Sequence, residues 1–427
     1  MIRHILKIIW NERKLNAWLV MEYVITFCVL WFCCDYLYTM LRSYYGPQGY
    51  DINHVYMINM GEKPSEKELE DSDKYGFAMT FMERVKRYPD IENVAFAMAS
   101  VPYGGTMWVG GFRINSDSVY IGLRQRHVST EFFDVFKMKV DGQIFDWTDY
   151  ADKDNVVISA SGDNQFGGSN RDGSVWVPVP EVHTLHHGDE GETNPHKVTG
   201  RTEVIRDPYF EPAMSNVILP LRREDVSLVG DDKGNQIVVR VKPEADKDFA
   251  ERFTRDMREQ LFLGPYYLSS VASIEGMRTE NDSLWGVKDR INSTYAVVLF
   301  LVVNIFLGIL GSFRFRTQSR RSEIALRIAL GASRRKVQAM VVAETLCLLA
   351  VATIAGTVVC LHLGDPETLR SLGIPTVDKV EWGIGREQYA INFILTVSFL
   401  ALVSIVAVWH PARQASTTQP ADALHDE

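Results

Sequence analysis

A multi-pass α-helical membrane protein, with four transmembrane helices and a large extracytoplasmic α/β domain between helices 1 and 2, is the fold class this sequence predicts. Three observations lead there. A bilayer core ~30 Å thick asks about 20 predominantly apolar residues of a spanning helix, and runs of that kind stand at 17–40, 291–313, 339–361 and 390–409. Charge is segregated: the 427 residues sum to −9, yet residues 42–290 hold 29 basic and 41 acidic side chains, or −12, and the rest hold 16 and 13, or +3. Within the acidic block, helical and strand periodicities interleave, which marks a mixed globular domain.

The elements follow in chain order. Residues 1–16 form a short N-terminal segment with Arg3, Lys7, Arg13 and Lys14. The run 17–40 is interrupted by Glu22 and Asp35 near its two ends, where carboxylates can snorkel toward the headgroups. It is too long for a signal-peptide core and no Ala-x-Ala site follows it. Leu30-Trp31-Phe32-Cys33 puts bulky aromatics where a lipoprotein signal needs small residues, so an uncleaved helix is expected.

Residues 41–290 read as the extracytoplasmic domain with its stalk, the stalk being 40–50 and 276–290. Phe77, Phe81, Met82 and Val85 predict a helix over 75–88, and Phe249, Phe253, Met257 and Leu261 another over 245–261. Strands are expected at 94–98, 119–123, 155–159, 198–205, 217–221 and 236–241. The polar stretch 181–196 reads as an irregular surface insertion.

Runs 291–313 and 390–409 carry no charge, and 339–361 carries only Glu344, about 9 Å into its helix at 1.5 Å per residue. Glu344 is therefore expected to reach a basic interface. Between the second and third runs, residues 314–338 hold eight cations against the single acid Glu323, whereas 362–389 hold three cations against five acids. Since Lys and Arg are retained on the cytoplasmic side, both termini, the loop 314–338 and the tail 410–427 are expected inside the plasma (inner) membrane, with 41–290 and the loop 362–389 outside.

These features exclude several classes. An acidic block without a basic tract offers nucleic acid no counterion-releasing surface. All five cysteines (Cys28, Cys33, Cys34, Cys347, Cys360) fall in the apolar runs, so the outer block has neither a disulfide framework nor a cysteine zinc site. Residues 162–169 have the glycine spacing of a phosphate loop, but Gly168 stands where the lysine must be, and the segment reads as a turn. His183, His186, His187 and His196 beside Asp189, Glu190 and Glu192 are residue types that ligate zinc or copper, yet nothing periodic fixes them, and a solvated loop is the plainer reading. No nucleophile or metalloprotease motif is present. The chain is expected to be non-catalytic, with no cofactor of its own.

The loop 314–338 is the most informative segment. Ser322–Leu330 suits a short helix with Ile324 and Ile328 on one face and Glu323 and Arg327 on another. Gly331 ends it as a left-handed C′ residue, and Ser333 caps the helix that continues into the third span. The residues alone allow two readings: an element that docks a cytoplasmic partner, or a basic loop holding anionic headgroups.

Here the sequence resembles a known family. Arg321-Ser322-Glu323-Ile324-Ala325-Leu326-Arg327-Ile328-Ala329-Leu330-Gly331 is similar to the R-x-E-I-G-I-R-x-A-x-G pattern after the second span in MacB/FtsX/LolC-type ABC transporter permeases. Residues 126–142, with Val128, Ser129, Phe133 and Gly142, resemble the family's periplasmic core motif, and Pro411-Ala412-Arg413 with Pro420 and Ala423 resembles its C-terminal ending. The likeness covers essentially the whole chain. It implies a dimeric permease, homo- or heterodimeric, that contacts a cytoplasmic ABC ATPase through a coupling helix at Glu323, Ile324, Arg327, Ile328, Gly331 and Arg334. ATP would be bound by that partner, and its movement relayed to the outer domain for export of an antimicrobial compound or peptide. A periplasmic adaptor or outer-membrane partner fits the same picture. Two departures are Ala325 in place of the family's glycine and the His-rich insertion. The alternatives are a LolC/FtsX-like permease for lipoprotein release or cell-wall regulation and, from another class, a membrane-anchored ligand sensor.

Overall fold

The structure, a computed structural model, describes the chain apart from residues 1–12, 65–68, 116–118, 162–163, 171–172, 188–194, 211–212, 230–233, 320–323, 325, 327, 364–386 and 418–427. It separates into a helical unit, 1–40 with 288–378 and 386–427, and a globular unit built on Leu41–Val287.

Four long helices, α1 (Arg13–Tyr45), α6 (Val287–Ser319), α7 (Arg334–Leu363) and α8 (Glu387–Thr417), are each long and apolar enough to cross a membrane. Their contact faces follow helical spacing. Leu19, Tyr23, Phe27 and Leu30 of α1 meet Ile305, Ile309 and Phe313 of α6, Leu348 and Ala352 of α7, and Leu400 and Ala407 of α8 in one buried cluster. Polar side chains stitch the same bundle: Tyr23 Oη donates to Ser404 at 2.9 Å, and the Asn392 amide donates to Asp35.

Glu344 departs from the expectation of reaching the interface, while Glu22 and Asp35, both partly exposed, meet neighbouring helices. Asp35 is held by Asn392 of α8, and Glu22 lies so close to Gly308 that a Cβ there would fall 2.1 Å from its Oε1. Glu344 is 4% exposed, because it shares a helix face with Val341 and Leu348 and that face is packed.

The globular unit has two lobes. In the first, β1 (Val55–Glu62), α2 (Asp71–Lys86) and β2 (Ile91–Met98) form one βαβ half, and β12 (Asn235–Val241), α4 (Phe249–Met257) and β13 (Tyr266–Ser273) form the other. Their strands pair antiparallel in the order β13-β1-β12-β2, a split βαβ arrangement. Helix α2 buries Ala78, Phe81, Met82 and Val85, with Asp71 and Asp73 in its first turn and Arg84 and Lys86 in its last, the signs its dipole favours. Helix α4 buries Phe249, Phe253 and Met257.

Between the two halves the chain builds the second lobe. It contains β3 (Trp108–Ile114), β4 (Ile121–Val128), β6 (Asn155–Ser159), β9 (Thr184–His187), β10 (His196–Thr202) and β11 (Asn216–Pro220). The ladder β4-β3-β9-β10-β6-β11 closes on itself, because β11 also pairs in parallel with β4 from Asn216↔Arg124 to Pro220↔Val128. Phe112, Ile121, Leu123, Ile158, Leu185 and Val217 fill this ring. The short α3 (Phe132–Val135) and β5 (Val140–Gly142) follow β4.

Two expectations change here. Gln165–Asn170, read from sequence as a turn, is a strand, β7, paired with β8 (Gly173–Pro178), and its Phe166 enters the ring's core. The stretch 181–196 is not wholly irregular: β9 and the start of β10 lie in it and pair at His196↔Leu185. Cross-strand burial of Leu185 outweighs the low strand propensity of its polar neighbours.

Candidate functional site

The connector between α6 and α7 carries the predicted docking residues. Ile324, Leu326, Ile328 and Ala329 are helical. Ile324 (4% exposed) packs on Val337 (2% exposed), with Ile328 beside them, so this apolar face turns inward onto α7. Leu326 (51% exposed) and Leu330 (80% exposed) turn outward. Burying a leucine is worth roughly 1.5–3 kcal/mol, so two exposed leucines side by side form a surface that gains from being covered.

Local backbone chemistry fixes where this element stops. Gly331 has φ +95° and its N–H bonds Ile328 O at 3.0 Å, a left-handed helix ending that only glycine adopts without strain. Ser333 then opens α7: its carbonyl receives Lys336 N at 2.9 Å and Val337 N at 3.2 Å, and its Oγ receives Lys336 N at 3.4 Å. Arg334, Arg335 and Lys336 are exposed along that first turn. Glu323 and Arg327 lie outside the described residues.

The histidines are spread over several strands. His186 pairs with Arg113 and His187 with Phe112 across β9 and β3, and Gln125 Nε2 donates to His187 Nε2 at 2.9 Å. His196 on β10 has its ring 6.5 Å from that of His187, and His183 is exposed. Among the described residues no three His, Cys, Asp or Glu side chains are arranged to hold a metal ion. Nearby, His127 of β4 is half-buried 5.9 Å from the Trp108 ring, and desolvation pushes its pKa down to about 4. His187, His196 and Arg222 add to that depression, and Asp225 opposes it.

Sequence reasoning missed two clusters in the globular unit. In the first, Arg124 and Arg126 of β4 converge on Asp207, at 2.8 and 3.1 Å, with all three side chains at least 94% buried. Arg126 Nε also donates to Asn216 Oδ1 at 2.8 Å, and desolvation, followed by the charge of Arg124, lowers its pKa to about 10. In the second, Arg278 of α5 (Ile274–Leu284) lies 4.0 Å from the Tyr44 ring centroid, 4.8 Å from that of Tyr209 and 6.0 Å from that of Tyr103. Its Nη2 donates to Tyr44 O at 3.2 Å. Tyr44 and Tyr209 meet edge to face at 5.1 Å, and Tyr50 Oη reaches Tyr103 Oη at 3.4 Å. Burial raises the pKa of Tyr103 to about 12, so this ring stays neutral and offers its face to the cation. The cluster joins residue 44, just before the domain's first strand, to a helix just after its last.

Comparison with known proteins places these observations. Residues 295–420 match the FtsX-like permease C-terminal family. Over 303 residues the chain is 26% identical to the macrolide export ATP-binding/permease protein MacB of Agrobacterium fabrum, covering 70% of this chain and 42% of that protein. Over 305 residues it is 23% identical to MacB of Acinetobacter baylyi, again covering 70% and 42%. The matched stretch is thus less than half the length of these relatives. Among solved structures, the extracellular domain of the noncanonic ABC-type transporter YknZ from Gram-positive bacteria aligns with 50% of this chain and 100% of its own, at 14% identity and a TM-score of 0.29. The periplasmic region of MacB from Actinobacillus actinomycetemcomitans aligns with 57% and 97%, at 12% identity and a TM-score of 0.31.

Proposed function

Because this chain is an ABC transporter permease of the MacB/FtsX type, we propose that it relays the movement of an ATPase lying outside the chain to its globular domain, to export a small antimicrobial compound or peptide. The ATPase docks on the connector between α6 and α7. One observation carries this reading: the connector is anchored inward through Ile324 on Val337 and presents Leu326 and Leu330 outward. A headgroup-binding loop would need its cations and no outward leucine pair.

Direction follows from charge. The eight cations of 314–338 keep the connector on the cytoplasmic side and leave the acidic block 41–290 outside. The connector has no linker on its α7 side beyond Gly331, Ala332 and Ser333, so a push on Leu326 and Leu330 is delivered to α7 through the Ile324–Val337 contact.

Co-isolation tests the assignment. An ATPase subunit should co-purify with the wild-type chain and be largely lost with Leu326→Arg/Leu330→Arg, while the variant stays in the membrane fraction. Gly331→Pro should weaken capture too, since it removes the N–H that closes on Ile328 O. Undiminished capture by both variants refutes docking at this element.

A further inference from the structure

The globular unit turns large apolar side chains into the open at its two chain ends. Tyr45 is 80% exposed, Leu284 79% and Trp285 58%, and Leu41 and Tyr44 are exposed as well. Leu41 and Arg42 stand four and three residues before Tyr45 on the last turns of α1, on the same side of that helix. Leu284 ends α5 and Trp285 follows it, two residues before α6 begins at Val287. A chain of ring contacts joins the two places. Centroids are 4.9 Å apart for Tyr45 and Tyr44, 5.1 Å for Tyr44 and Tyr209, 5.5 Å for Tyr209 and Phe210, and 6.2 Å for Phe210 and Trp285.

Two arginines stand at the Tyr45 end of this arc. Arg206 N donates to Gln48 O at 3.0 Å, Tyr50 Oη donates to Arg206 O at 2.8 Å, and Gln48 Nε2 donates to Tyr44 O at 3.3 Å, so the segment carrying Arg206 is laced to the end of α1. Arg42 is exposed there, and its charge adds to burial in lowering the pKa of Arg206. Two guanidiniums held together repel, and an anion between them relieves both. Chain distance sets the level of this surface. Arg42 and Tyr45 stand two and five residues past the apolar run 17–40 in a continuous helix, about 3 Å and 7–8 Å at 1.5 Å per residue, and Trp285 precedes the run 291–313 by six. The headgroup layer on either side of a ~30 Å hydrocarbon core is about 5–8 Å thick, and it is where the amphipathic rings of Tyr and Trp settle.

We propose that this surface binds phospholipids of the leaflet that adjoins it, with a lipid phosphate held between Arg42 and Arg206 and the glycerol and upper acyl layer received by Tyr45, Leu284 and Trp285. The occupant follows from level and charge. A protein partner would place no constraint on height, whereas lipid requires that cations and rings fall in one layer at the ends of two spans. The order within the layer also matches: Arg42 lies at phosphate depth beside the exposed Leu41, and the arginine stems can lie along apolar surface while their heads meet the phosphate. An anionic lipid suits the pair best, because the choline of a zwitterionic headgroup brings a cation of its own to the two guanidiniums.

The test needs no ATPase, so its failure and that of the docking proposal are separate. The full chain, with Cys28, Cys33, Cys34, Cys347 and Cys360 replaced by Ala, receives one cysteine at Tyr45→Cys, Leu284→Cys or Phe262→Cys and a fluorescent label on it. Phe262 is exposed near Tyr266, at the opposite end of β13 from Ser273, where α5 begins. Each labelled protein is placed in phosphatidylcholine nanodiscs containing a minor fraction of either phosphatidylcholine or phosphatidylglycerol that carries a nitroxide quencher high on its acyl chain. Both lipids should quench the label at 284 and neither the label at 262. At position 45 phosphatidylglycerol should associate about five- to thirtyfold more strongly than phosphatidylcholine, the range for one or two arginines at a headgroup. Arg42→Gln, a change at an exposed side chain, should lower that preference about fivefold, and Arg42→Gln with Arg206→Gln should abolish it while quenching at 284 persists. A label at 284 that neither lipid reaches, equal quenching at 284 and 262, equal association of the two lipids at 45, or a preference that survives loss of both arginines overturns the proposal.

Discussion

The guanidinium of Arg278 lies 4.0 Å from the ring centroid of Tyr44, a residue 234 positions earlier in the chain, and donates to its carbonyl. This pair ties together the two ends of the globular domain. The proposed relay would pass through these ends, so a cation held among three tyrosine rings at that place would transmit a pull on one end to the other.

Removal of this tie should show in stability and in relay separately. Arg278→Ala is expected to lower the unfolding free energy of the full chain in detergent by roughly 2 kcal/mol, a cation–π contact plus its hydrogen bond. Urea titration followed by tryptophan fluorescence measures it. Export should fall further than ATPase capture does, and Arg278→Lys should recover part of the stability, because an ammonium keeps the charge and loses the flat stacking.

Asp207 supports a heavier load. It is the shared partner of Arg124 and Arg126, whose side chains are 6% and 1% exposed. Asp207→Asn leaves two buried cations facing a neutral amide, and the expected cost is about 3–5 kcal/mol, as for breaking other buried pairs. Thermal unfolding would show it as a fall in Tm large enough to reduce membrane yield, while a matched surface change such as Asp149→Asn leaves Tm unchanged.

A pH dependence follows from His127. Its folded pKa, about 4, lies below the unfolded value near 6.5, so between these values the unfolded chain binds a proton that the folded chain does not. The stabilisation is fully present above pH 6.5 and is lost as pH falls toward 4, by up to roughly 3 kcal/mol. His127→Gln should flatten the slope between pH 6.5 and 5, where carboxylates contribute little. Denaturant midpoints for both proteins across that window decide it, and identical slopes would disprove the effect.

What was legible in the sequence was local. The four apolar runs and the amphipathic spacing of Phe81 with Val85, or Phe249 with Phe253, announce their elements because burial repeats along one stretch of chain. Gly331 and Ser333 were readable for the same reason, since helix endings are settled within a few residues. The ring of strands was not, because it closes between Arg124 and Asn216, 92 positions apart, and passes through strands such as Gln165–Asn170 whose glycines carry no β signal. The outward turn of Leu326 relative to Ile324 depends on Val337, and the Arg278 cage depends on Tyr44, Tyr103 and Tyr209 arriving from three distant segments.

Strand β4 belongs to both lobes of the globular unit. It pairs with β2 at Ala97↔Val128 and Met98↔His127, and it also carries the pairings with β3 and β11 that close the ring. Where two lobes are joined by a flexible segment, a force on one is dissipated as rotation before it reaches the other. Here the joint is a run of backbone hydrogen bonds, reinforced by the Arg126 side chain that the same strand sends to Asp207, Asn216 and Ser100. Low compliance is therefore expected across the middle of the domain, where the two lobes share one strand instead of a hinge.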